Sequence, residues 1–200
     1  MQIFVRQNNV ASAVGVYNQN YFRPGLLDPA TGCAEGPSKA STAHVVLSDG
    51  SYIETGWYEY KSNATITDYV FYEYRQGANG KPQFFPTLHP DPGGCSCLGQ
   101  WKILTTLGTQ TWNAYVDPDL DGNYEFLGSH DFGISPGGVP KAETSIRGTA
   151  TSGYDHFANL KRRASDGTWY LWTSQGLDFD NIPNYHWQQD SSSAYQVVHD

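Results

Sequence analysis

Two glutamates set among aromatic residues are the most chemically informative positions of this 200-residue chain. The first lies in Tyr52-Ile53-Glu54-Thr55-Gly56-Trp57-Tyr58, the second in Tyr69-Val70-Phe71-Tyr72-Glu73-Tyr74. A glycine inside a strand weakens it unless something approaches closely there. Gly56 therefore points to a substrate backbone passing Glu54, or else the segment is a half-exposed strand with a surface glutamate. A carboxylate on an aromatic face is either solvated in a groove or shifted in its protonation. A second acidic pattern, Asp117-Pro118-Asp119-Leu120-Asp121-Gly122, has the spacing that offers oxygen ligands to a calcium ion. Its EF-hand continuation fails, because Gly128 stands where the loop needs a closing glutamate. Asp117, Asp119 and Asp121 are thus candidate ligands of a structural calcium ion, with a polar hairpin turn as the alternative.

Other chemistries find less support. The six histidines show no metal-ligand spacing and read as scattered surface residues. Gly133-Ile134-Ser135-Pro136-Gly137 has the Gly-x-Ser-x-Gly spacing, but it lies in a turn cluster and not between a strand and a helix, where a nucleophile elbow would stand. Of the three cysteines, Cys33 is expected to bridge to Cys95 or Cys97, leaving the third free. A zinc site is the weaker alternative, since Cys-x-Cys supplies only two ligands.

The elements that must position these residues are strands. Tyrosine (14), tryptophan (6) and phenylalanine (9) suit strands, glycine (21) and proline (11) supply turns, and charged residues make up only 16% of the chain, too few for long amphipathic helices. Strand-like runs recur at residues 11–17, 43–47, 52–60, 68–75, 101–106, 111–116, 142–149, 157–163 and 169–172, separated by turn clusters such as Ser48-Asp49-Gly50 and Asp121-Gly122-Asn123. The expected fold is all-β: a two-layer antiparallel β-sandwich of the jelly-roll or concanavalin-like kind, forming a single domain over residues 1–200. Residues 84–98 read as a loop stapled by cysteines. The tail, residues 178–200, reads as loop-like, with Tyr185 and Trp187 docking on the body. Side chains alternate across a strand, so Tyr52, Glu54, Gly56 and Tyr58 share one face and Ile53, Thr55 and Trp57 the other. Likewise Tyr69, Phe71, Glu73 and Arg75 lie opposite Val70, Tyr72 and Tyr74.

Net charge is −8, which disfavours nucleic acid and anionic membrane surfaces as partners. No apolar run reaches the length of a membrane span. Composition and cysteines suggest a secreted, extracellular protein. Residues 1–6 lack the apolar core of a signal peptide, so export would need a leader outside this sequence.

The stretch from Ser51 to Arg75 resembles the first active-site strand pair of the glutamic peptidases. Glu54-Thr55-Gly56-Trp57 is similar to the Glu-Ala-Gly-Trp of the neprosin family, whose glutamate is catalytic. Phe71-Tyr72-Glu73-Tyr74 resembles the following strand of the related eqolisins. The region Gly137-Gly138-Val139-Pro140-Lys141-Ala142-Glu143-Thr144 is loosely similar to the segment bearing the second neprosin carboxylate. Neprosins place Gly-Gly directly before that glutamate, whereas Val139 to Ala142 intervene here. The resemblance implies a β-sandwich, Glu54 and Glu143 as the catalytic pair with Glu73 as fallback, and no required cofactor.

Adjacent carboxyls push one another's pKa apart and share a proton. The ionised one can activate water while the protonated one donates to the carbonyl or the leaving amine, which favours acid pH. Tyr52, Gly56, Tyr58, Tyr69 and Phe71 are the substrate-contacting candidates, suited to an extended and proline-rich polypeptide. Three functions stay open: a secreted glutamic endopeptidase, a noncatalytic carbohydrate-binding module stacking sugars on its aromatic face, and a glycoside hydrolase, whose chemistry also needs two carboxylates.

Overall fold

The computed structural model describes residues 2–10, 12–22, 38–62, 65–88, 97–147, 155–180 and 185–199. Among them there are strands and no helix. In chain order the strands are β1 (Gln2–Gln7), β2 (Gly15–Phe22), β3 (Ser38–Leu47), β4 (Tyr52–Ser62), β5 (Thr65–Arg75), β6 (Gln83–Leu88), β7 (Cys97–Thr105), β8 (Thr111–Asp117), β9 (Glu125–Asp131), β10 (Gly138–Arg147), β11 (Asp155–Arg163), β12 (Trp169–Leu171), β13 (Gln175–Asp180), β14 (Tyr185–Ser191) and β15 (Ala194–His199).

Two antiparallel sheets pack face to face as a β-sandwich. One has the order β13-β1-β10-β3-β4-β5-β6, the other β14-β15-β11-β2-β7-β8-β9, with β12 paired on β11. Period-two patterning explains which faces meet. From the first sheet Ile3, Val5, Ala43, Val45, Ile53, Trp57, Val70 and Ala142 point inward, and from the second Val16, Trp101, Ile103, Trp112, Ala114, Val116, Phe157 and Val197. Trp57 and Trp101 meet edge to face across the layers, with ring centroids 5.7 Å apart at 89°. Truncating one such buried indole costs about 3–5 kcal/mol. The outer face of the first sheet is left to the polar positions of β1, β10, β3, β4 and β5.

Three expectations need correction. The stretch after Asp178 is not loop-like: β14 and β15 form a hairpin, and β15 pairs with β11. Tyr195 and Val197 are buried, and Trp187 packs partly against the core. Polar residues around the turn mask this alternation in the sequence. Residues 84–88 are not loop either. They belong to β6, an edge strand on β5 whose residues are all exposed, where Pro86 is tolerated because an edge has no ladder bond to lose on its outer side. The first strand-like run is displaced to β2, with Ala13 making only an isolated bridge to Gly138. Cys33 and Cys95, and hence the expected disulfide, lie outside the described residues, and of Cys97 only the backbone is described.

Candidate active site

The register of four central strands assembles a carboxylate cluster on the outer face. His44 on β3 stands opposite Glu54 on β4, and Glu54 stands opposite Glu73 on β5. On the other flank His44 is opposite Lys141 of β10, and Glu143 follows two positions along the same face. One histidine and three glutamates thus occupy neighbouring sites on strands far apart in sequence.

Contacts inside the cluster are specific. His44 Nδ1 lies 3.1 Å from Glu54 Oε2 and 3.4 Å from Glu143 Oε2. His44 Nε2 has no hydrogen-bond partner among the described residues, so the interactions are made through Nδ1. The side chains of His44 and Glu143 are only 7% and 5% exposed, and that of Glu54 is 13% exposed, so solvent does little to screen them. The Tyr52 hydroxyl donates to Glu73 Oε1. Arg75 lies over the Tyr52 ring, 4.8 Å from its centroid, and donates to Gly50 O at 3.0 Å. Lys141 pairs with Asp178 of β13.

Like charges on neighbouring strands repel, and here burial disfavours their ionised forms further. Burial first, then the charge of Glu143, push Glu54 up to about 6, against the opposing pull of His44. Glu73 is pushed up to about 7, chiefly by burial and next by Glu54. Burial alone would lower the imidazolium pKa of His44, but its bonds to Glu143 and Glu54 outweigh this and raise it to about 9. Near neutral pH the site therefore combines a cationic imidazole with glutamates that hold protons unusually late. Burial and its bond to Glu73 also keep Tyr52 protonated far above the ordinary phenol range.

The cluster sits in the middle of a groove along the strands. One lobe, about 360 Å³, is lined by Phe4, His44, Val46, Tyr52, Arg75 and Lys141 together with the three glutamates. The other, about 310 Å³, is lined by Ala40, Tyr58, Phe71, Phe84 and Ser145 with the same three glutamates. Glu54, Glu73 and Glu143 therefore border both lobes. From Tyr52 to Tyr58 the groove follows β4 for roughly 20 Å, room for about six extended residues. The first lobe is polar and partly cationic. The second is aromatic, with the Phe84 ring 5.3 Å from Tyr58 and 5.0 Å from Phe71.

Of the residues singled out in the sequence, Glu54, Glu143 and Glu73 are brought together, and Tyr52, Tyr58 and Phe71 line the groove. Tyr69 borders neither lobe and packs against Tyr58 instead. Gly56 has a structural explanation: a Cβ there would fall 2.1 Å from Ser41 O and 2.8 Å from Thr42 Cα. The backbone that comes close at this glycine is that of β3. Sequence reasoning missed His44, which is buried rather than a surface histidine. The flanking alternation Ala43-His44-Val45 was the available signal, since it puts His44 opposite the core face. Phe4, Phe84 and Lys141 were missed as well.

Two groups of donors could hold a cation. One nitrogen of His44 and one oxygen each of Glu54 and Glu143 lie within 4.8 Å of one another, a set a transition ion can use. Oxygens of Asp117, Asp119 and Asp121 are similarly close. That loop is also closed by its own carboxylates: Gly122 N donates to Asp117 Oδ2 at 3.0 Å, Asp121 N to Asp119 Oδ1 at 3.3 Å, and Asn123 N to Asp121 Oδ1 at 2.7 Å. His130 of β9 lies away from the glutamate cluster. It stacks on Tyr74 at 3.7 Å and contacts Gln76 Oε1 through Nε2 at 2.9 Å.

No protein-family model matches the chain, and no curated protein matches it. Among solved structures, the CBM2 module of the evolved Dit of Lactobacillus casei BL23 phage J-1 is similar, with a TM-score of 0.47 and 11% identity over 99% of this chain and 68% of that one. A likeness at this level carries no argument about function.

Proposed function

We propose that this protein is a glutamic endopeptidase in which Glu54 and Glu143 form the catalytic carboxyl pair. The observation that carries the reading is the convergence of these two glutamates, from strands separated by β3, on His44 Nδ1 at the centre of a long groove. A mechanism of this kind needs one carboxyl ionised and one protonated. The ionised member takes a proton from water as that water attacks the scissile carbonyl. The protonated member polarises the carbonyl oxygen and then protonates the departing amine. Glu73, held by the Tyr52 hydroxyl, borders the same space as a third carboxyl. An extended polypeptide fits a groove that runs along the strands, with its less polar, proline-containing portion against Tyr58, Phe71 and Phe84. The enzyme acts outside the cell, and a calcium ion at Asp117, Asp119 and Asp121 would serve structure only.

A noncatalytic carbohydrate-binding module is the second reading, favoured by the exposed ring of Phe84 beside Tyr58 and Phe71. Such a module gains nothing from buried, mutually repelling carboxyls, whose desolvation is costly.

The test is hydrolysis of an unfolded proline-rich protein between pH 3 and 7, with and without EDTA. Acid-optimal cleavage that survives EDTA and falls by about 100-fold or more in both Glu54→Gln and Glu143→Gln supports the pair. Loss in Glu54→Gln alone moves the second role to Glu73. Abolition by EDTA in a protein that stays folded, and that calcium does not restore, hands the site to a metal on His44, Glu54 and Glu143, and no cleavage by folded wild type at any pH sinks the reading.

A further inference from the structure

The loop that follows β8 takes no part in the chemistry proposed for the groove, yet it holds a buried carboxylate that its surroundings leave half satisfied. Asp117 is 0% exposed. Its Oδ2 accepts the amide of Gly122 at 3.0 Å, while its Oδ1, shielded from solvent, meets no donor among the described residues. A buried carboxylate oxygen without a partner is costly, and such a group calls for an ion or an ordered water. We propose that Asp117, Asp119 and Asp121 bind a calcium ion, with Asp117 as the buried anchor, and that the ion fixes the turn between β8 and β9 together with Tyr124. The proposal stands apart from the endopeptidase reading.

The donor set selects the ion. One oxygen from each of the three aspartates lies within 4.8 Å of the others, and three negative groups this close repel unless a cation lies among them. Lys102 on the neighbouring β7 does not fill that place for the buried member. Its ammonium is drawn over the Tyr124 ring, 3.4 Å from the centroid, and leaves Asp117 Oδ1 without a bond. Carboxylate oxygens on a flexible loop suit calcium, which takes six to eight oxygen ligands in variable geometry, whereas magnesium demands a near-ideal octahedron. Asp119 and Asp121 are exposed, so water completes the shell. Affinity then belongs in the weak range of extracellular calcium modules, about 10⁻⁴–10⁻³ M.

The consequence is local order on the second sheet. Asp117 ends β8 opposite Gln100 of β7, and the Tyr124 hydroxyl donates to Gln100 Oε1. Between these two anchors the turn is held by the amides of Asp121, Gly122 and Asn123 on the same three carboxylates. An ion that draws those carboxylates together ties the start of the turn to its end and keeps the Tyr124 ring over Lys102.

The experiment is thermal unfolding and amide NMR of wild type, Asp117→Asn and Asp119→Asn, titrated with calcium chloride and, separately, magnesium chloride at constant ionic strength. Calcium at a hundred times its dissociation constant should raise the wild-type Tm by about 5–10 °C. It should also shift the amide signals of Asp119 to Tyr124, with magnesium doing far less. Asp117→Asn should abolish the response. Asp119→Asn, at an exposed position that leaves the core untouched, should weaken binding by about tenfold or more, and it decides the matter if Asp117→Asn does not fold. A wild type whose Tm and amides ignore calcium overturns the proposal, and so does an equal response to magnesium. A calcium response that persists unchanged in Asp119→Asn places the cation elsewhere and overturns it too. None of these readouts requires cleavage, so they stand whether or not the groove hydrolyses peptides.

Discussion

Replacing Gly56 by alanine tests whether the glycine beside Glu54 serves the sheet or a ligand. The added Cβ would lie 2.1 Å from Ser41 O, 2.9 Å from Ser41 C and 2.8 Å from Thr42 Cα, with the nearest atom roughly 1.3 Å inside van der Waals contact. All three neighbours are backbone atoms of β3, which is hydrogen-bonded to β10 on its other side, so no flexible side chain can give way. Overpacking a rigid site costs about 1–3 kcal/mol, and a clash with ladder backbone belongs at the upper end, about 3 kcal/mol. In a chain of this size that lowers Tm by roughly 6–12 °C. Urea unfolding followed by tryptophan fluorescence reads the change, since Trp57 and Trp101 are buried against each other. Thr42 is two residues from His44, so displacement of β3 should also loosen the His44–Glu54 contact and reduce the cleavage proposed for this site. A Gly56→Ala protein within about 0.5 kcal/mol of wild type that has nevertheless lost activity would refute this reasoning and return the glycine to substrate binding.

Glu73→Gln addresses the cluster's titration. Glu73 is raised from 4.5 to about 7, so between those values the folded state keeps a proton that the unfolded chain has released. Its contribution to stability is complete below pH 4.5 and is lost as pH rises through 7. The Tm of wild type should therefore fall relative to Glu73→Gln across that window, and a constant difference would contradict the raised value. Trp57→Ala removes a fully buried indole and its edge-to-face partner contact, costing about 4–5 kcal/mol in denaturant unfolding. A loss below about 2 kcal/mol would mean that the two sheets do not meet as described.

The alternation in residues 52–58 and 69–75 is local physics, legible from the chain alone. It set Glu54 opposite Trp57 within one strand and Glu73 opposite Val70 within the next, as the structure has them. Aromatic and glycine content likewise pointed to strands in two layers. The alternation of buried Ile3 and Val5 with Phe4 and Arg6 is equally local and marks β1. Glu143 was named by resemblance to a family, not by any pattern in its own strand.

Alternation says which face a side chain takes, but not which strand lies beside it. The neighbour relation of β3 and β10, with His44 opposite Lys141, joins segments about a hundred residues apart. It is set by how inward residues of both sheets pack around Trp57 and Trp101, because a slip of one residue would turn the apolar face outward. Only that packing carries His44 in between Glu54 and Glu143, buries it, and turns an unremarkable histidine into the charge at the centre of the groove.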